Sequence, residues 1–150
     1  MSMIEKGVNS PENKASSMLK IAVADDEPAI LKVFYRLAQA VAAEKIAVID
    51  QYNSGDEVVN AVIENPTKYN LVLTDGQMGP GKNGVEVARE LKDILPVYLS
   101  SAGMPNFDID DSKLVKEAGF SGTLKKPYSI GDVRTFLAFA RVKIAQVVEI

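Results

Sequence analysis

Three aspartates stand in this sequence where a carboxylate could take part in chemistry. Asp75 closely follows the apolar run 71–73, and Asp25 and Asp26 follow another largely apolar run, 19–24. Consecutive apolar residues without alternation are typical of a strand that is buried on both faces of a sheet. Ligands of open α/β sheets bind beyond the carboxyl ends of the strands. Asp75 could therefore serve as a nucleophile or a metal ligand, although an aspartate here can also simply cap a turn.

Hydroxyl and amino groups follow two later runs of the same kind. Ser100 and Ser101 come at the end of the predicted strand 96–100, and Lys126 follows the predicted strand 120–124. A carboxylate, a divalent cation, a hydroxyl and an ammonium group around one point would make a site for a phosphoryl group. The carboxylate would be its nucleophile, forming an aspartyl phosphate. Taken singly, these side chains could equally be turn residues or a solvated charge.

The composition excludes several other kinds of site. The 150 residues carry a net charge of −3 and include no cysteine and no histidine, which rules out disulfides, thiolate chemistry, Cys/His metal sites and histidine-based triads. A bound metal would have to be a hard cation held by oxygen, such as Mg²⁺. The nearly balanced charge predicts no nucleic-acid or membrane partner. No stretch has the length of a membrane span or the apolar core of a signal peptide, so we expect a cytoplasmic protein.

Strand and helix patterns alternate five times along the chain. We expect residues 1–17 to form a flexible tail and residues 18–150 to form one domain with a long C-terminal helix. A capping box at 54–57 and Ser129 mark two helix starts, and Gly119 marks a helix end. The predicted strands are 19–24, 45–52, a strand ending near Asp75, 96–100 and 120–124; the predicted helices are 28–43, 54–65, 84–94, a short helix ending at Gly119, and a final helix after Ser129.

This alternation predicts an α/β fold, in which a parallel sheet with right-handed crossovers carries helices on both faces. For five strands, the flavodoxin-like doubly wound order 2-1-3-4-5 is expected. Strands one and three are neighbours in that order, so Asp25, Asp26 and Asp75 should converge where the strand order reverses. Carboxylates that close together raise one another's pKa values and are best accommodated with a cation between them.

At these positions the chain resembles the receiver domain of two-component response regulators. The resemblance covers roughly residues 19–141, and all of its parts come in the right order at the right strand ends. They are the acidic pair 25–26, Asp75, the Ser101-Ala102 pair and the Lys126-Pro127 pair.

The resemblance implies a role for each of these residues. Asp75 would be the phosphoacceptor, and Lys126 would pair with the phosphoryl group. Asp26 would be the main Mg²⁺ carboxylate, Asp25 would support it partly through water, and Asp75 and the backbone carbonyl of Gln77 would complete the ligands.

Ser101 is favoured over Ser100 as the switch hydroxyl, because the family places this hydroxyl just before a small residue, here Ala102. Strand alternation allows only one of the two serines to face the site. Two departures accompany this match. Thr123 replaces an aromatic residue that many members carry three positions before the lysine, and the loops 78–84 and 104–111 look longer than usual.

The implied function is that of a phosphorelay receiver, not an enzyme in its own right. A sensor histidine kinase or phosphotransfer protein would supply the phosphoryl group, and the altered surface would bind a downstream protein. A homodimer is left open. Almost nothing follows the last predicted helix, so we expect a stand-alone or truncated receiver.

Other readings remain open from the sequence alone. Residues 76–83 nearly fit the phosphate-binding loop G-x-x-x-x-G-K-[ST], but Asn83 replaces the Ser/Thr that should bind Mg²⁺. A phosphatase with an aspartate nucleophile would need a second acid where Gln77 stands. A receiver-shaped interaction module that is never phosphorylated is a further alternative.

Overall fold

Five short strands form one parallel sheet in the computed structural model, which describes residues 18–149. The strand order is β2-β1-β3-β4-β5, so the predicted flavodoxin-like fold is confirmed. The expected tail, residues 1–17, lies outside the described residues. The strands are β1 (Leu19–Ala24), β2 (Ile46–Tyr52), β3 (Leu71–Asp75), β4 (Val97–Ser101) and β5 (Gly122–Lys125); the helices are α1 (Pro28–Ala42), α2 (Gly55–Glu64), α3 (Gly84–Leu91), α4 (Ser112–Glu117) and α5 (Ile130–Glu149).

Each face of the sheet has its own apolar core. Helices α1 and α5 cover one face and α2, α3 and α4 cover the other. Side chains alternate along a strand, so Leu71 and Leu73 of β3 enter the first core while Val72 enters the second. Asp75 continues the first series, and its side chain therefore emerges on the α1 and α5 face. No helix among residues 18–149 is both long and apolar enough to cross a membrane.

Two helix starts next to the sheet edge are fixed by side-chain caps. The Ser54 hydroxyl accepts from the Glu57 N–H, as predicted, but the Glu57 carboxylate accepts from the N–H of Asn53 instead of completing the predicted capping box. A complete capping box occurs instead at α3, between Asn83 and Glu86. These caps set where the loops leave the sheet edge and enter the helices.

The end of α4 corrects a predicted strand boundary. Gly119 has a φ of +106°, and the N–H of Phe120 bonds to the carbonyl of Val115 across the helix end. That pair of features is a Schellman motif, and it makes Phe120 part of the helix terminus. Strand β5 therefore begins at Gly122 instead of residue 120.

Other predicted boundaries, among them those of β2, α3 and β4, were also wrong by one to three residues. Strand β2 starts after a 3₁₀ turn, Ala43–Lys45, and α3 stops at Leu91 instead of residue 94. Strand β4 runs from Val97 to Ser101 instead of from 96 to 100. Pro96 has no N–H to give to the ladder, and only its carbonyl takes part, accepting from Val72.

Candidate functional site

The predicted convergence of three aspartates is present at the carboxyl edge of the sheet. Ala24 of β1 pairs with Thr74 of β3, so the residues that follow, Asp25 and Asp75, are neighbours. Carboxylate oxygens of Asp25, Asp26 and Asp75 lie within 4.8 Å of one another. Asp25 is buried, Asp26 is exposed, and the Asp75 side chain is 12% exposed. The cluster thus opens to solvent on the Asp26 side.

Lys126 lies between the two buried carboxylates. Its Nζ is 2.6 Å from Oδ2 of Asp25 and 3.1 Å from Oδ1 of Asp75. Its backbone N–H donates to the carbonyl of Ser101 at 3.0 Å, which fastens the end of β5 to the end of β4. The sequence placed this lysine near the site, and the structure gives it two carboxylate partners.

Hydrogen bonds leave two carboxylate oxygens open. Both oxygens of Asp25 are engaged, Oδ2 by Lys126 and Oδ1 by the N–H of Glu27 at 2.9 Å. Backbone N–H groups also bind Oδ1 of Asp75, at 2.8 Å, and Oδ2 of Asp26, at 2.9 Å. Among residues 18–149, nothing donates to Oδ2 of Asp75 or to Oδ1 of Asp26.

The donor set fits a hard divalent cation. Oxygen atoms are the ligands that Mg²⁺ prefers, and it usually takes one or two carboxylates with water and phosphate oxygens. The open oxygens belong to Asp26 and Asp75, so these two could bind directly. The fully engaged Asp25 is better suited to binding through water.

Burial dominates the electrostatics of Asp75. Burial raises the pKa of its carboxyl and the charge of Asp25 adds to the rise, while Lys126 and the Gly76 N–H act in the opposite direction without cancelling it. Burial by itself would lower the pKa of Lys126, but its contacts with Asp25 and Asp75 outweigh that effect and raise it. The predicted repulsion between acids is therefore present, but it is secondary to desolvation.

The start of α3 packs directly against the end of β3. The N–H of Gly84 donates to the carbonyl of Gly76 at 3.0 Å. A Cβ on Gly84 would lie 2.4 Å from the carbonyl oxygen of Asp75, so only glycine fits there. This close approach holds the backbone that carries Asp75.

The loop that resembled a phosphate-binding motif has other partners. Lys82 forms an ion pair with Glu90 at 3.1 Å, and its N–H donates to Asp56. The Asn83 side chain caps α3. The lysine and the Ser/Thr position of that motif are both used to shape the loop, which disfavours the nucleotide-binding alternative.

The two serines of β4 point in different directions. Ser101 accepts from the N–H of Gly103 at 3.0 Å and lines a cavity of about 260 Å³ together with Met104 and Lys126. Ser100 is the register partner of Asp75, and its hydroxyl pairs with the hydroxyl of Tyr128.

Two predicted site residues, Gln77 and Ser101, keep roles that only the resemblance supports. Gln77 is exposed in the loop after β3, and its role as a carbonyl ligand stays a prediction, as does the switch role of Ser101. Thr123 lies half-buried on β5.

The Ser100–Tyr128 pair was not predicted from the sequence. The available signal was a tyrosine two residues after Lys126.

A comparison with family models identifies the family of this chain. The sequence matches the response regulator receiver domain over residues 21–138. That match covers most of the chain, so the protein belongs to the response regulator receiver domain family, a family of signalling domains in two-component systems. No curated protein was found with a matching sequence.

Solved receiver domains have the same fold. A response regulator receiver domain protein from Clostridium thermocellum is 25% identical with a TM-score of 0.71, over 87% of this chain and 99% of that one. The receiver domain of Francisella response regulator 1452 is 22% identical with a TM-score of 0.63, over 83% and 98%. The receiver domain of AraT, a response regulator from Geobacillus stearothermophilus, is 16% identical with a TM-score of 0.69, over 86% and 97%.

Proposed function

We propose that Asp75 accepts a phosphoryl group from a phosphohistidine of a sensor kinase or phosphotransfer protein. The observation that carries the proposal is the setting of Asp75, a buried carboxylate with a raised pKa, a lysine at 3.1 Å and one open oxygen. Carboxylates whose pKa is shifted by burial next to a charged partner are typical of functional sites. Asp75 is also on the strand end where this fold binds its ligands.

In the proposed reaction, the open Oδ2 of Asp75 attacks phosphorus. A bond forms between this oxygen and phosphorus, the bond from phosphorus to the donor imidazole nitrogen breaks, and the nitrogen keeps the electron pair. Asp26, through its open oxygen, and Asp75, through the carboxylate oxygen that does not attack, would hold Mg²⁺, which would supply positive charge for the phosphoryl oxygens. Lys126, whose Nζ is 3.1 Å from Oδ1 of Asp75, supplies a second positive charge.

The proposed signal follows from the altered partners of Lys126 and Ser101. A phosphoryl group on Asp75 would offer new acceptors to the ammonium group of Lys126 and to the Ser101 hydroxyl. These residues end β5 and β4, which lead into α5 and α4. The surface of these elements would then bind a downstream protein differently.

Labelling with acetyl phosphate tests the proposal. With Mg²⁺, the wild-type chain should gain one phosphoryl group by intact mass, and Asp75→Asn should gain none. Asp50→Asn is a matched control, because Asp50 of β2 also contacts a lysine, Lys68 at 3.2 Å. Equal labelling of wild type and Asp75→Asn would refute the assignment, and an unlabelled wild type would favour the interaction-module alternative.

A further inference from the structure

One hydroxyl pair beside the site, a buried Ser100 and a half-buried Tyr128, has no part in the chemistry described so far. Ser100 is 2% exposed and lies directly across from Asp75 in the register of β3 and β4. Side chains in register on parallel strands point to the same face of the sheet. Ser100 therefore points to the same face of the sheet as Asp75, while Ser101 lines the cavity that Lys126 also lines.

Tyr128 comes two residues after Lys126 and is held over the same face. Its ring packs edge-on against Phe34 of α1, with ring centroids 5.8 Å apart and an interplanar angle of 67°. Its hydroxyl forms a hydrogen bond with the Ser100 hydroxyl. Burial raises the pKa of the Tyr128 hydroxyl, Asp25 and Asp75 add to the rise, and Ser100 and Lys126 oppose it. The hydroxyl thus lies within electrostatic range of Asp25 and Asp75.

The segment 126–128 is consequently attached to β4 at both of its ends. At one end the backbone N–H of Lys126 donates to the carbonyl of Ser101. At the other end the side chain of Tyr128 bonds to that of Ser100. The Lys126 side chain, which bridges Asp25 and Asp75, extends from between these two attachments.

Neither hydroxyl of the pair has a substitute among the described residues. A buried polar group that loses its partner costs more than the net value of the bond, because it stays desolvated. Removing the Tyr128 hydroxyl therefore leaves the buried Ser100 hydroxyl unpaired, and removing either hydroxyl frees the same end of the segment.

From this geometry we propose that Tyr128 is a positioning residue, which acts through Ser100 to hold the Lys126 ammonium group against Asp75. The proposal rests on the function proposed above, because the position of Lys126 matters to the reaction only if Asp75 takes a phosphoryl group. Tyr128 does not itself touch the reacting atoms. Its hydroxyl determines how firmly the lysine is presented to them.

Conservative variants separate this role from ordinary packing. Tyr128→Phe keeps the ring against Phe34 and removes only the hydroxyl, and Ser100→Ala removes the partner. Tyr98→Phe is a matched control, because Tyr98 is 2% exposed on the same strand and face, two residues before Ser100, and packs on Phe136. All variants are compared with the wild-type chain, with folding verified by thermal melting.

We expect Tyr128→Phe and Ser100→Ala each to slow labelling by acetyl phosphate about fivefold, as for the loss of one buried hydrogen bond. The double variant should be no slower than the slower single variant, because both changes remove the same interaction. Tyr98→Phe should label at the wild-type rate. The NMR signal of the Lys126 Cε should move in Tyr128→Phe and Ser100→Ala but not in Tyr98→Phe, which a general loss of stability would not produce.

The outcomes separate this inference from the proposed function. If the wild type takes no label, the proposed function fails and this inference fails with it. If the wild type is labelled while Tyr128→Phe and Ser100→Ala keep its rate, or if their effects simply add, this inference alone is wrong. A lower melting temperature with an unchanged rate and an unmoved Lys126 signal would also overturn it, since Tyr128 would then be structural only.

Discussion

Two aspartate–lysine pairs in this sheet have almost the same length but opposite electrostatic consequences. Asp75 lies 3.1 Å from Lys126 at the end of β3, and Asp50 lies 3.2 Å from Lys68 beside β2. The pKa of Asp75 is raised, first by burial, in spite of its lysine. The pKa of Asp50 is lowered, first by the hydrogen bond from the Tyr69 hydroxyl and also by Lys68.

The difference lies in the surroundings of each carboxylate. The Asp75 side chain is 12% exposed and the Asp50 side chain is 37% exposed, so desolvation opposes the charge of Asp75 far more strongly. Asp50 gains stability from its partners in the ordinary way. The charged form of Asp75 instead carries a free-energy cost, which a bound cation would offset.

Removing the lysine from each pair should give the largest difference between the two sites in the free energy of unfolding. Lys126→Met leaves Asp25 and Asp75 buried without a counterion, so we expect a loss of about 3 kcal/mol in the free energy of unfolding without Mg²⁺. Lys68→Met breaks a half-exposed pair and should cost no more than about 0.5 kcal/mol. Urea unfolding measures both, and equal losses would remove the contrast between the two sites.

The response to Mg²⁺ should give the second largest difference in stability between the two sites. Binding to the folded cluster alone should stabilise the wild type by roughly 1.4 kcal/mol at about ten times the dissociation constant. Asp26→Asn should raise stability without metal, because one repelling charge is gone while the amide oxygen can still accept from the Gly79 N–H. The same variant should lose most of the Mg²⁺ gain, because its open carboxylate oxygen is gone.

Asp50→Asn is the control for that series and should keep the full Mg²⁺ gain. Melting curves with and without Mg²⁺ test both variants together. Suppose Asp26→Asn melted below the wild type without metal and still kept the full gain. Asp25, Asp26 and Asp75 would then not share a cation site.

The smallest expected effect is an opposite dependence on pH. For Asp75 the raised folded pKa means a penalty that is absent below the unfolded value, near 3.8, and grows as pH rises through the folded pKa. For Asp50 the lowered pKa means stability that is present above the unfolded value and is lost as pH falls through the folded one. The stability of Asp75→Asn relative to the wild type should thus increase with rising pH, while the relative stability of Asp50→Asn should decrease.

This comparison needs melting without metal over a pH range that extends both above and below the ordinary aspartate pKa of 3.8. The Asp50 effect should be the weaker of the two, because solvent screens a side chain that is 37% exposed. If the stabilities of both variants relative to the wild type changed in the same direction with pH, burial would not distinguish the two carboxylates.

The sequence predicted the fold and the meeting of the acids because both follow from strand ends. Apolar runs that stop on Asp25 and Asp75 fix where each strand emerges, and the strand order makes them neighbours. The register places Ser100 directly across from Asp75. This pairing could not be predicted from the sequence, because it depends on how the two strands align in space. Phe120 shows the same limit, since its N–H closes a helix end instead of opening a strand.

The sequence pattern could not predict which side chains contact one another in the folded protein. Lys126 was placed at the site, but its bridge between Asp25 and Asp75 depends on tertiary packing. The Asp50–Tyr69 bond joins residues nineteen positions apart that form no motif. In each case residues distant in sequence meet through the register of neighbouring elements.

The most direct test of the central claim is to locate the phosphoryl group chemically. After labelling with acetyl phosphate and Mg²⁺, sodium borohydride reduces an aspartyl phosphate to homoserine, which peptide mass analysis can place. We expect homoserine at position 75 and aspartate at positions 25, 26 and 50. Homoserine at position 50, or a label that survives borohydride and hydroxylamine as a stable phosphoester, would contradict it.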